Sequence, residues 1–550
     1  MKKILVFLLL LIACPAWGAT YYVSQDGAGA KTGADVDNAS AIATFNVGTA
    51  PYNDLDDDTV YLLDTFTTGI LVPDSGILGA VVTIRGDYAG HPCVIANTTS
   101  HSISVNGKSY INIDNLSISS VSVTSPNMAI YLTGVVSNVH FSNISINSSG
   151  SGAASSRGIQ VSGATTNSSF TDISITGVNN VTIFLYGVGS SGITLTRVSG
   201  TGGTGWNISE VSDLTIIDAT QTSSTSYGFY LHDSVTGTFT ANGLYATGNA
   251  NFDFYLKNLS FGVGSTISNA SSYNSTCWKF QTVNNLTVSK ATIDGAYITN
   301  PSLSITDGSS HIIFNDLEIK NGLSDAFYVY EASGNPSHDI TCNRCVVHDT
   351  GNKANTGNGD GFTVHTNAYN INLNYCKAYN MTGTALAMVG ATSGNIYNFT
   401  AYNNGGDWTG EGGADGNRAG FYFILTGANP TTGTSWTVKN SIGASNYPRE
   451  VMLDATSKSL VTFDYNLYLE EESTRFATLD GGTNNISWDT YHATYESNSL
   501  HSDPKFVSAT NFHLQSDSPA RGAGVDLKLS KTNPPDIGAE PYAQSVPWVK

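Results

Sequence analysis

Residues 359–365 read Gly359-Asp360-Gly361-Phe362-Thr363-Val364-His365 and contain one copy of a pattern that recurs along most of the chain. Phe362 and Val364 alternate with Thr363 and His365, and this period of two is typical of a short half-buried strand. Similar four-residue copies begin at Ile103, Ile130, Ile159, Ile183, Trp206, Phe229, Phe254, Trp278, Leu303, Phe327, Leu386 and Phe421. The steps from Ile159 to Phe327 are all 23 to 25 residues long. A fixed period of this length without a helical pattern predicts a solenoid.

Two of the steps are longer, at 35 residues each, and they contain the extra segments 351–359 and 405–416. Insertions in a solenoid fall in loops on one face, which is often the binding face. Both segments flank the coil that carries His365. This coil is therefore the first candidate for a functional site.

Two further families of short strands follow the first in phase. One includes Ile111-Asn112-Ile113 and Leu286-Thr287-Val288, and the other includes Leu317-Glu318-Ile319 and Cys376-Lys377-Ala378. Three strands per coil predict an all-β fold, a right-handed parallel β-helix. Asparagine recurs just before the third strand, at Asn115, Asn143, Asn315, Asn343 and Asn374. Because asparagine tolerates the left-handed backbone conformation, these residues are predicted to form the corners.

The composition excludes some partners. The 550 residues include 24 Lys and Arg against 43 Asp and Glu, so the net charge is -19. Nucleic acids and anionic membranes both require basic patches, and neither is expected as a partner. The core of a solenoid is one continuous column, so a single long domain is predicted rather than several globular ones.

The chain begins with an export signal. Lys2 and Lys3 precede an apolar run, residues 4–13, that is too short to span a bilayer. Small residues then favour cleavage before Ala19, so residues 1–18 are predicted to be a signal peptide of a secreted or periplasmic protein. The alternative is a lipoprotein box at residues 11–14, which would anchor the protein through Cys14.

The mature chain is predicted to have three parts. Residues 19–100 form an N-terminal cap and the first coils, because an uncovered first coil would expose backbone and apolar side chains. Residues 101–470 form the regular coils of the β-helix. Residues 471–550 break the period and are predicted to be a loop-rich C-terminal capping segment. No anchor is expected at this end, and a monomer is favoured.

The cysteines argue against a disulfide framework, because five remain after Cys14: Cys93, Cys277, Cys342, Cys345 and Cys376. The pair Cys342 and Cys345 has the spacing of a zinc motif, but the strand phase turns both side chains inward. Buried thiols are the preferred interpretation. A disulfide between Cys345 and Cys376 of neighbouring coils is the alternative.

The mature chain resembles the bacterial right-handed parallel β-helix (pectin-lyase-like) superfamily, which includes pectate lyases, polygalacturonases and alginate-type lyases. Residues 358–362 resemble the Asn-x-Asp-Gly-apolar strand of polygalacturonases, but the acid pair expected one coil later is absent from residues 383–386. Residues 360–365 resemble the Asp-Gly-Phe-x-x-Lys strand of family nine pectate lyases, in which the lysine is the base and aspartates hold calcium. His365 occupies the position of that lysine, and histidine suits proton abstraction near neutral pH.

If the strands stack in register, their outward residues form two columns along the helix axis. Tyrosine can stack on sugar rings, and cations suit a uronate-bearing polysaccharide. The residues predicted to bind this substrate are Tyr230, His232, Tyr255, Lys257, Lys279, Tyr328 and Tyr422.

The predicted chemistry is that of a polysaccharide lyase. Such an enzyme removes a proton beside a carboxylate and expels the glycosidic oxygen, so it needs a base, a neutraliser and a proton donor. His365 is the candidate base and Tyr330 the donor, with Arg418 or Lys257 as the neutraliser. The candidate oxygen ligands of a calcium ion are Asp325, Glu331 and Asp360.

The sequence therefore predicts an exported carbohydrate-active β-helix protein that cleaves an acidic glycan by β-elimination. Two alternatives stay open, a glycoside hydrolase on the same fold and a non-catalytic glycan-binding or surface structural protein. The fold alone does not decide between them. The lyase hypothesis requires Asp325, Asp360, His365 and Arg418 to lie together in one cleft.

Overall fold

The structure is a computed structural model, and it describes residues 18–97, 100–119, 128–148, 156–273, 278–295, 300–331, 334–351, 359–405, 418–425, 435–470, 475–480, 484–529 and 535–540. About half of the chain is in strands, which form a parallel β-solenoid of about 14 turns. The predicted signal peptide, Cys14, Cys277 and most of the two inserted segments lie outside the described residues.

The first strands are β1 (Thr20–Ser24), β2 (Ser40–Ala41), β3 (Thr59–Leu62), β4 (Thr65–Phe66), β5 (Ile70–Leu71), β6 (Val82–Arg85), β7 (Val94–Ile95), β8 (Ile103–Asn106), β9 (Ser109–Ile118), β10 (Met128–Thr133), β11 (Val136–Asn147), β12 (Arg157–Val161), β13 (Thr165–Thr166), β14 (Ser169–Val178), β15 (Ile183–Ser191) and β16 (Thr194–Gly202). The middle strands are β17 (Trp206–Ser212), β18 (Thr215–Ile217), β19 (Thr220–Thr222), β20 (Tyr227–His232), β21 (Thr240–Asn242), β22 (Tyr245–Thr247), β23 (Phe252–Ser260), β24 (Thr266–Ser268), β25 (Ser271–Tyr273), β26 (Trp278–Ser289), β27 (Thr292–Asp294), β28 (Leu303–Thr306), β29 (Ser310–Asn315), β30 (Glu318–Lys320), β31 (Phe327–Tyr330) and β32 (His338–Asn343).

The last strands are β33 (Val346–His348), β34 (Phe362–His365), β35 (Tyr369–Asn374), β36 (Lys377–Tyr379), β37 (Leu386–Val389), β38 (Ser393–Tyr397), β39 (Thr400–Tyr402), β40 (Phe421–Ile424), β41 (Ser435–Lys439), β42 (Ile442–Ala444), β43 (Val451–Leu453), β44 (Val461–Asp464), β45 (Leu467–Leu469), β46 (Ala477–Leu479), β47 (Asn484–Ile486) and β48 (Leu500–His501). The helices are a 3₁₀ turn (Val36–Asn38), α1 (Ile42–Asn46), α2 (Ser457–Leu460) and α3 (Trp488–Tyr495).

Successive coils stack their strands into three parallel sheets. The front sheet runs from β5 through β8, β10, β12, β15, β17, β20, β23, the start of β26, β28, β31, β34, β37, β40 and β43 to β46. The second sheet runs from β1 to β44, and the third sheet runs from β4 to β48. The predicted three-strand parallel β-helix is confirmed, and each predicted start of a front-sheet strand pairs with its neighbours in register, as Phe327 does with Phe362 and Phe362 with Leu386.

The core is a column of apolar side chains that point inward from all three sheets. Aromatic rings stack along the axis within it: Phe229 lies 5.1 Å from Phe254, and Phe254 lies 4.4 Å from Trp278. Parallel in-register stacking places the same position of each coil next to itself. The alternation read from the sequence therefore becomes one continuous hydrophobic interior.

The corner prediction is right for two asparagines and wrong for three. Asn115 and Asn143 have φ of 59° and 53°. In later coils the left-handed residue is the next one along, as at Asp316, Arg344 and Tyr375. Asn315, Asn343 and Asn374 instead end their strands and donate side-chain amide hydrogen bonds from coil to coil, at 3.0 and 3.1 Å. Their shared role is a polar ladder that ties neighbouring coils together.

The ends of the helix are covered. At the N-terminal end Phe45 of α1 is buried against Tyr52, with 5.2 Å between the rings. At the C-terminal end Tyr491 of α3 is buried 5.0 Å from Phe476. Residues 500–529 and 535–540 then pack along the third sheet, where Phe512 contacts both Tyr379 and Tyr402. None of the helices in the described ranges is long and apolar enough to cross a membrane.

Four of the five mature cysteines fall within the described residues, and all four are free, buried thiols: Cys93, Cys342, Cys345 and Cys376. The preferred interpretation of the motif at residues 342–345 is confirmed. Cys345 and Cys376 do not form the disulfide that was the alternative.

Candidate functional site

The strands β31, β34 and β40 place polar and aromatic side chains on the outer side of the front sheet, whereas β37 places Ala387 and Val389 there. Each strand turns its first and third residues into the core, as Phe362 and Val364 show, and its second and fourth outward. The outward positions define two columns. One contains Tyr328, Thr363 and Tyr422, and the other contains Tyr330 and His365.

His365 lies between two tyrosines of the preceding coil. Its ring centroid is 5.3 Å from that of Tyr328 and 6.4 Å from that of Tyr330, and the two tyrosine rings are themselves 5.7 Å apart. Neither ring nitrogen of His365 makes a hydrogen bond to another residue of the described ranges. The imidazole is thus held by ring contacts, and its nitrogens are available to a ligand.

The surroundings of this cluster favour the uncharged forms of two of its members. Partial burial lowers the pKa of His365, so that the imidazole is neutral and basic at neutral pH. Burial, followed by the nearby charge of Asp325, raises the pKa of Tyr328 to about 12. The hydroxyl of Tyr328 therefore stays protonated and can donate a hydrogen bond.

A second group of residues lies at the other end of the same strands. Asp325 and Asp360 stand two residues before the paired Phe327 and Phe362, so they are neighbours on adjacent coils. Their exposed fractions are only 7% and 9%. One carboxylate oxygen of Asp325 accepts the backbone N–H of Asp360 at 3.1 Å, and one of Asp360 accepts the N–H of Thr384 at 2.6 Å.

The pKa values of both carboxyl groups are raised. Burial raises the pKa of Asp325, and burial together with the charge of Asp325 raises the pKa of Asp360 well above its usual range. Arg418 opposes the shift at Asp360 but does not outweigh it. Burial, with smaller contributions from the charges of Asp360 and Asp454, also raises the pKa of Tyr422 to about 12. The negative charge of Asp325 disfavours ionisation of Asp360, because two adjacent buried carboxylates repel each other.

The raised pKa of Asp360 predicts a pH-dependent effect on stability. Because the folded-state pKa lies above the unfolded one, the contribution of this carboxyl is full at acidic pH and is lost as the pH rises through the folded pKa. Asp360→Asn keeps an oxygen for the N–H of Thr384 but cannot ionise. We expect it to be more stable than the parent near neutral pH, by about 1.4 kcal/mol per unit of raised pKa, and to lose this advantage at acidic pH. Urea unfolding across this pH range measures the difference.

Asp172→Asn is the control for this measurement. Asp172 is exposed and hydrogen-bonded to Arg197, which lowers its pKa, so its replacement should give no gain at neutral pH. If Asp360→Asn is less stable than the parent at neutral pH, the carboxylate of Asp360 is a charged structural group and our account of the pair is wrong.

The structure separates two residues that were predicted to assist His365. Arg418 precedes Phe421 by three residues, whereas His365 follows Phe362 by three. Since these strands are in register, the two backbones are six strand positions apart, or about 20 Å. Lys257 shares the outward column of His365 but lies four coils away, at about 19 Å. Arg418 belongs to the Asp325–Asp360 group, and neither cation lies next to His365. The four residues that the lyase hypothesis requires in one cleft therefore do not converge, and the hypothesis fails in the form that the sequence suggested.

The predicted calcium ligands also divide between the two groups. Glu331 directly follows Tyr330, at the end of β31 opposite to Asp325, and its carboxylate accepts a hydrogen bond from Asn367 at 3.2 Å. Across the described ranges, no three His, Cys, Asp or Glu side chains are grouped as a metal ion requires. Asp325, Glu331 and Asp360 therefore do not form the predicted ligand set, because they lie at opposite ends of the strands.

The residues predicted to bind the substrate, called the substrate strip from here on, include aromatic rings that stack on one another as an aromatic ladder. The rings of Tyr230 and Tyr255 lie 5.0 Å apart with 17° between their planes, and Tyr227 and Phe252 flank them at 4.7 and 5.2 Å. The faces of Tyr230 and Tyr255 thus contact each other. Tyr227 and Phe252 were missed, although each stands two residues before the start of its four-residue copy, a spacing that could have identified them.

The cations of the strip also have partners inside the protein. His232 lies 3.0 Å from a carboxylate oxygen of Asp233 and 2.9 Å from the amide oxygen of Asn207. The ammonium group of Lys279 lies 5.5 Å from the centre of the Tyr255 ring, within range of a cation–π interaction. The strip can offer hydroxyl groups, ring edges and partly balanced cations to a ligand.

The register, the inward core and the three-strand coils define the chain as a parallel β-helix protein. No protein-family model matches the chain, and no curated protein matches it. Similar solved structures are a pectate lyase, Pel9A (12% identity, 96% of each chain, TM-score 0.25), a rhamnogalacturonan lyase (12%, 61% of this chain and 83% of the other, 0.33) and a mutant tailspike protein of E. coli bacteriophage HK620 in complex with a hexasaccharide (12%, 76% and 73%, 0.37). At these values the likeness extends to the fold and assigns neither a family nor an activity.

Proposed function

We propose that this protein is an exported polysaccharide lyase that cleaves an acidic, uronate-containing glycan by β-elimination at His365. The observation that carries the proposal is the imidazole of His365, whose neutral form is favoured by burial, whose nitrogens make no hydrogen bonds to the described residues and which lies between the phenols of Tyr328 and Tyr330 on the outer side of the front sheet. A base beside two hydroxyl donors is what this elimination requires.

Each member of the cluster has a defined part in the reaction. A nitrogen of His365 takes the proton from the carbon next to the sugar carboxylate, and a carbon–carbon double bond forms as the bond to the leaving oxygen breaks. The hydroxyl of Tyr330 protonates that oxygen. The hydroxyl of Tyr328 donates a hydrogen bond to the carboxylate of the sugar, a role that replaces the one expected of Arg418 or Lys257.

The outward columns extend this site into a groove for a chain. From Tyr230 to Thr363 the front sheet advances by five coils of about 4.8 Å each, or about 24 Å in total. Lys257, Lys279 and the hydroxyls of the aromatic ladder line this length. A linear polysaccharide that lies along the axis would meet them before it reaches His365.

The experiment follows the ultraviolet absorbance of mature protein incubated with polygalacturonate, alginate and glycosaminoglycans, since β-elimination creates an absorbing unsaturated sugar. Parallel samples with calcium and with a chelator measure any requirement for a metal ion. Rising absorbance on one of these glycans supports the proposal. A flat trace on all of them would contradict the lyase proposal, and glycan binding by calorimetry without release of reducing ends would show a binding protein instead.

A glycoside hydrolase is the second candidate, and the Asp325–Asp360 pair favours it. Two neighbouring carboxyl groups act as the acid and the base or nucleophile of most glycosidases. Such an enzyme would release reducing ends without a rise in absorbance. In that case Asp360→Asn would abolish the release of reducing ends, whereas His365→Ala would not. The lyase proposal predicts the opposite, namely that His365→Ala loses activity and Asp360→Asn does not.

A further inference from the structure

A cavity of about 460 Å³ lies between the third sheet and the C-terminal segment, far from the outer side of the front sheet. Residues 503–517 fold back on themselves through a bridge between Phe506 and Leu514 and a hydrogen bond from the N–H of Gln515 to the carbonyl of Lys505. This hairpin covers the outer side of β39, β42 and β45. The lining residues are Tyr402, Ala444, Ser445, Leu469, Asp503, Pro504, Lys505, Phe506, Ser508, Ala509, Gln515 and Asp517.

The third sheet forms the floor of this space. Tyr402, Ala444 and Leu469 occupy the same outward position on three successive coils. Ala444 is fully buried in the same apolar cluster as Leu514 of the hairpin, whereas Tyr402 and Leu469 are partly exposed. The size of the cavity falls within the range of small-molecule sites.

The polar groups that line the cavity favour a particular class of ligand. The hydroxyls of Tyr402 and Ser445, one carboxylate oxygen of Asp503 and the amide oxygen of Gln515 make no hydrogen bonds to other residues of the described ranges. The ammonium group of Lys505, which is the cation among the lining residues, already pairs with Asp517 at 2.5 Å. Two hydroxyls and two acceptor oxygens suit a ligand rich in hydroxyl donors, while the net negative charge disfavours a uronate.

The apolar part of the lining complements such a ligand. The rings of Tyr402 and Phe506 meet edge to face, with 5.7 Å between their centres, and Leu469 lies on the adjacent coil. A sugar ring presents C–H groups to aromatic faces and hydroxyls to the polar rim. We propose that this cavity is a second carbohydrate-binding site, specific for an uncharged sugar residue, and that it holds the protein to a neutral glycan while the front sheet faces another chain.

The test uses full-length mature protein that carries His365→Ala, so that turnover at the front sheet does not contribute. Calorimetric titration with neutral hexasaccharides of glucose, mannose, xylose and galactose is compared with titration by oligogalacturonate. We expect at least one neutral oligosaccharide to bind and Asp503→Asn to weaken that binding by about tenfold or more, since a hydrogen bond to a charged group is lost. Tyr402→Phe should weaken it by a smaller factor.

The chain offers a closely matched control. Asp526 accepts the backbone N–H of Lys528 through one carboxylate oxygen, as Asp503 does with Lys505, but Asp526 does not line the cavity. Asp526→Asn should bind the neutral oligosaccharide as the parent does. The proposal is overturned if no neutral oligosaccharide binds, if the two asparagine variants bind equally well, or if oligogalacturonate is the ligand that depends on Asp503. None of these outcomes depends on whether the front sheet is catalytic.

Discussion

Replacing His365 by alanine is expected to reduce the rate of β-elimination by about 10²–10⁴-fold, because this is the usual contribution of a general base. The substitution removes the imidazole whose nitrogens are free, while Tyr328 and Tyr330 remain in place. His365 packs on the outer side of the front sheet rather than in the core, so the fold should be retained. The rate of absorbance increase on the glycan that the parent cleaves measures the loss.

His338→Ala is the matched control for this variant. His338 is also a half-buried histidine on the outer side of a sheet and stacks on a tyrosine of the next coil, with 4.6 Å between the rings of His338 and Tyr369. It lies on the second sheet and should not affect the rate. Activity that survives in His365→Ala, or is lost equally in His338→Ala, would exclude His365 as the base.

The pH dependence provides an independent check on the same residue. A base must be unprotonated, so kcat/KM should rise with pH as the imidazole loses its proton. Because burial lowers the pKa of His365, the midpoint of this rise should lie below the value of an ordinary exposed imidazole. A midpoint above that value would mean that the base is a different group, because the pH dependence of kcat/KM reports the pKa values of the free enzyme.

The fold could be predicted from the sequence because the same four-residue strand pattern recurs in coil after coil. Each copy of the four-residue pattern is weak alone, but in-register stacking requires every copy to point the same way, so Trp206, Phe254 and Leu386 support one another. The corners were less predictable. The left-handed position is fixed by the backbone path of the coil, and Asp316, Arg344 and Tyr375 adopt it although the neighbouring asparagines tolerate it better.

The site was only partly predictable, for two physical reasons. The position of a residue along its strand could be counted, and counting from Phe362 and Phe421 already separates His365 from Arg418. Ring contacts and burial could not be counted. That Tyr255 is covered by its neighbours and that Thr363 is fully buried both depend on how the coils pack in space.

Trp278→Ala is expected to destabilise the fold by about 3–5 kcal/mol, which is the usual cost of removing a large aromatic ring from a core. Trp278 is fully buried, stacks on Phe254 and donates its indole N–H to the hydroxyl of Ser272 at 3.0 Å. The substitution leaves a cavity and removes the partner of a buried hydroxyl. The shift of the urea midpoint measures the effect, and Val263→Ala, at a side chain that is 94% exposed, should leave that midpoint unchanged.

Trp206 separates the packing contribution from the hydrogen bond. It occupies the same inward position three coils earlier and is equally buried, but its indole N–H has no hydrogen-bond partner among the residues that the structure describes. Trp206→Phe and Trp278→Phe remove similar volume, yet only the second breaks a hydrogen bond. Trp278→Phe should therefore be the more destabilising by about 1 kcal/mol. Equal losses would show that the bond to Ser272 adds nothing.

Because each coil contacts only its neighbours, the loss of amide-exchange protection in the Trp278 variants should be largest in β23 and β28, which flank Trp278, and should decrease with each further coil.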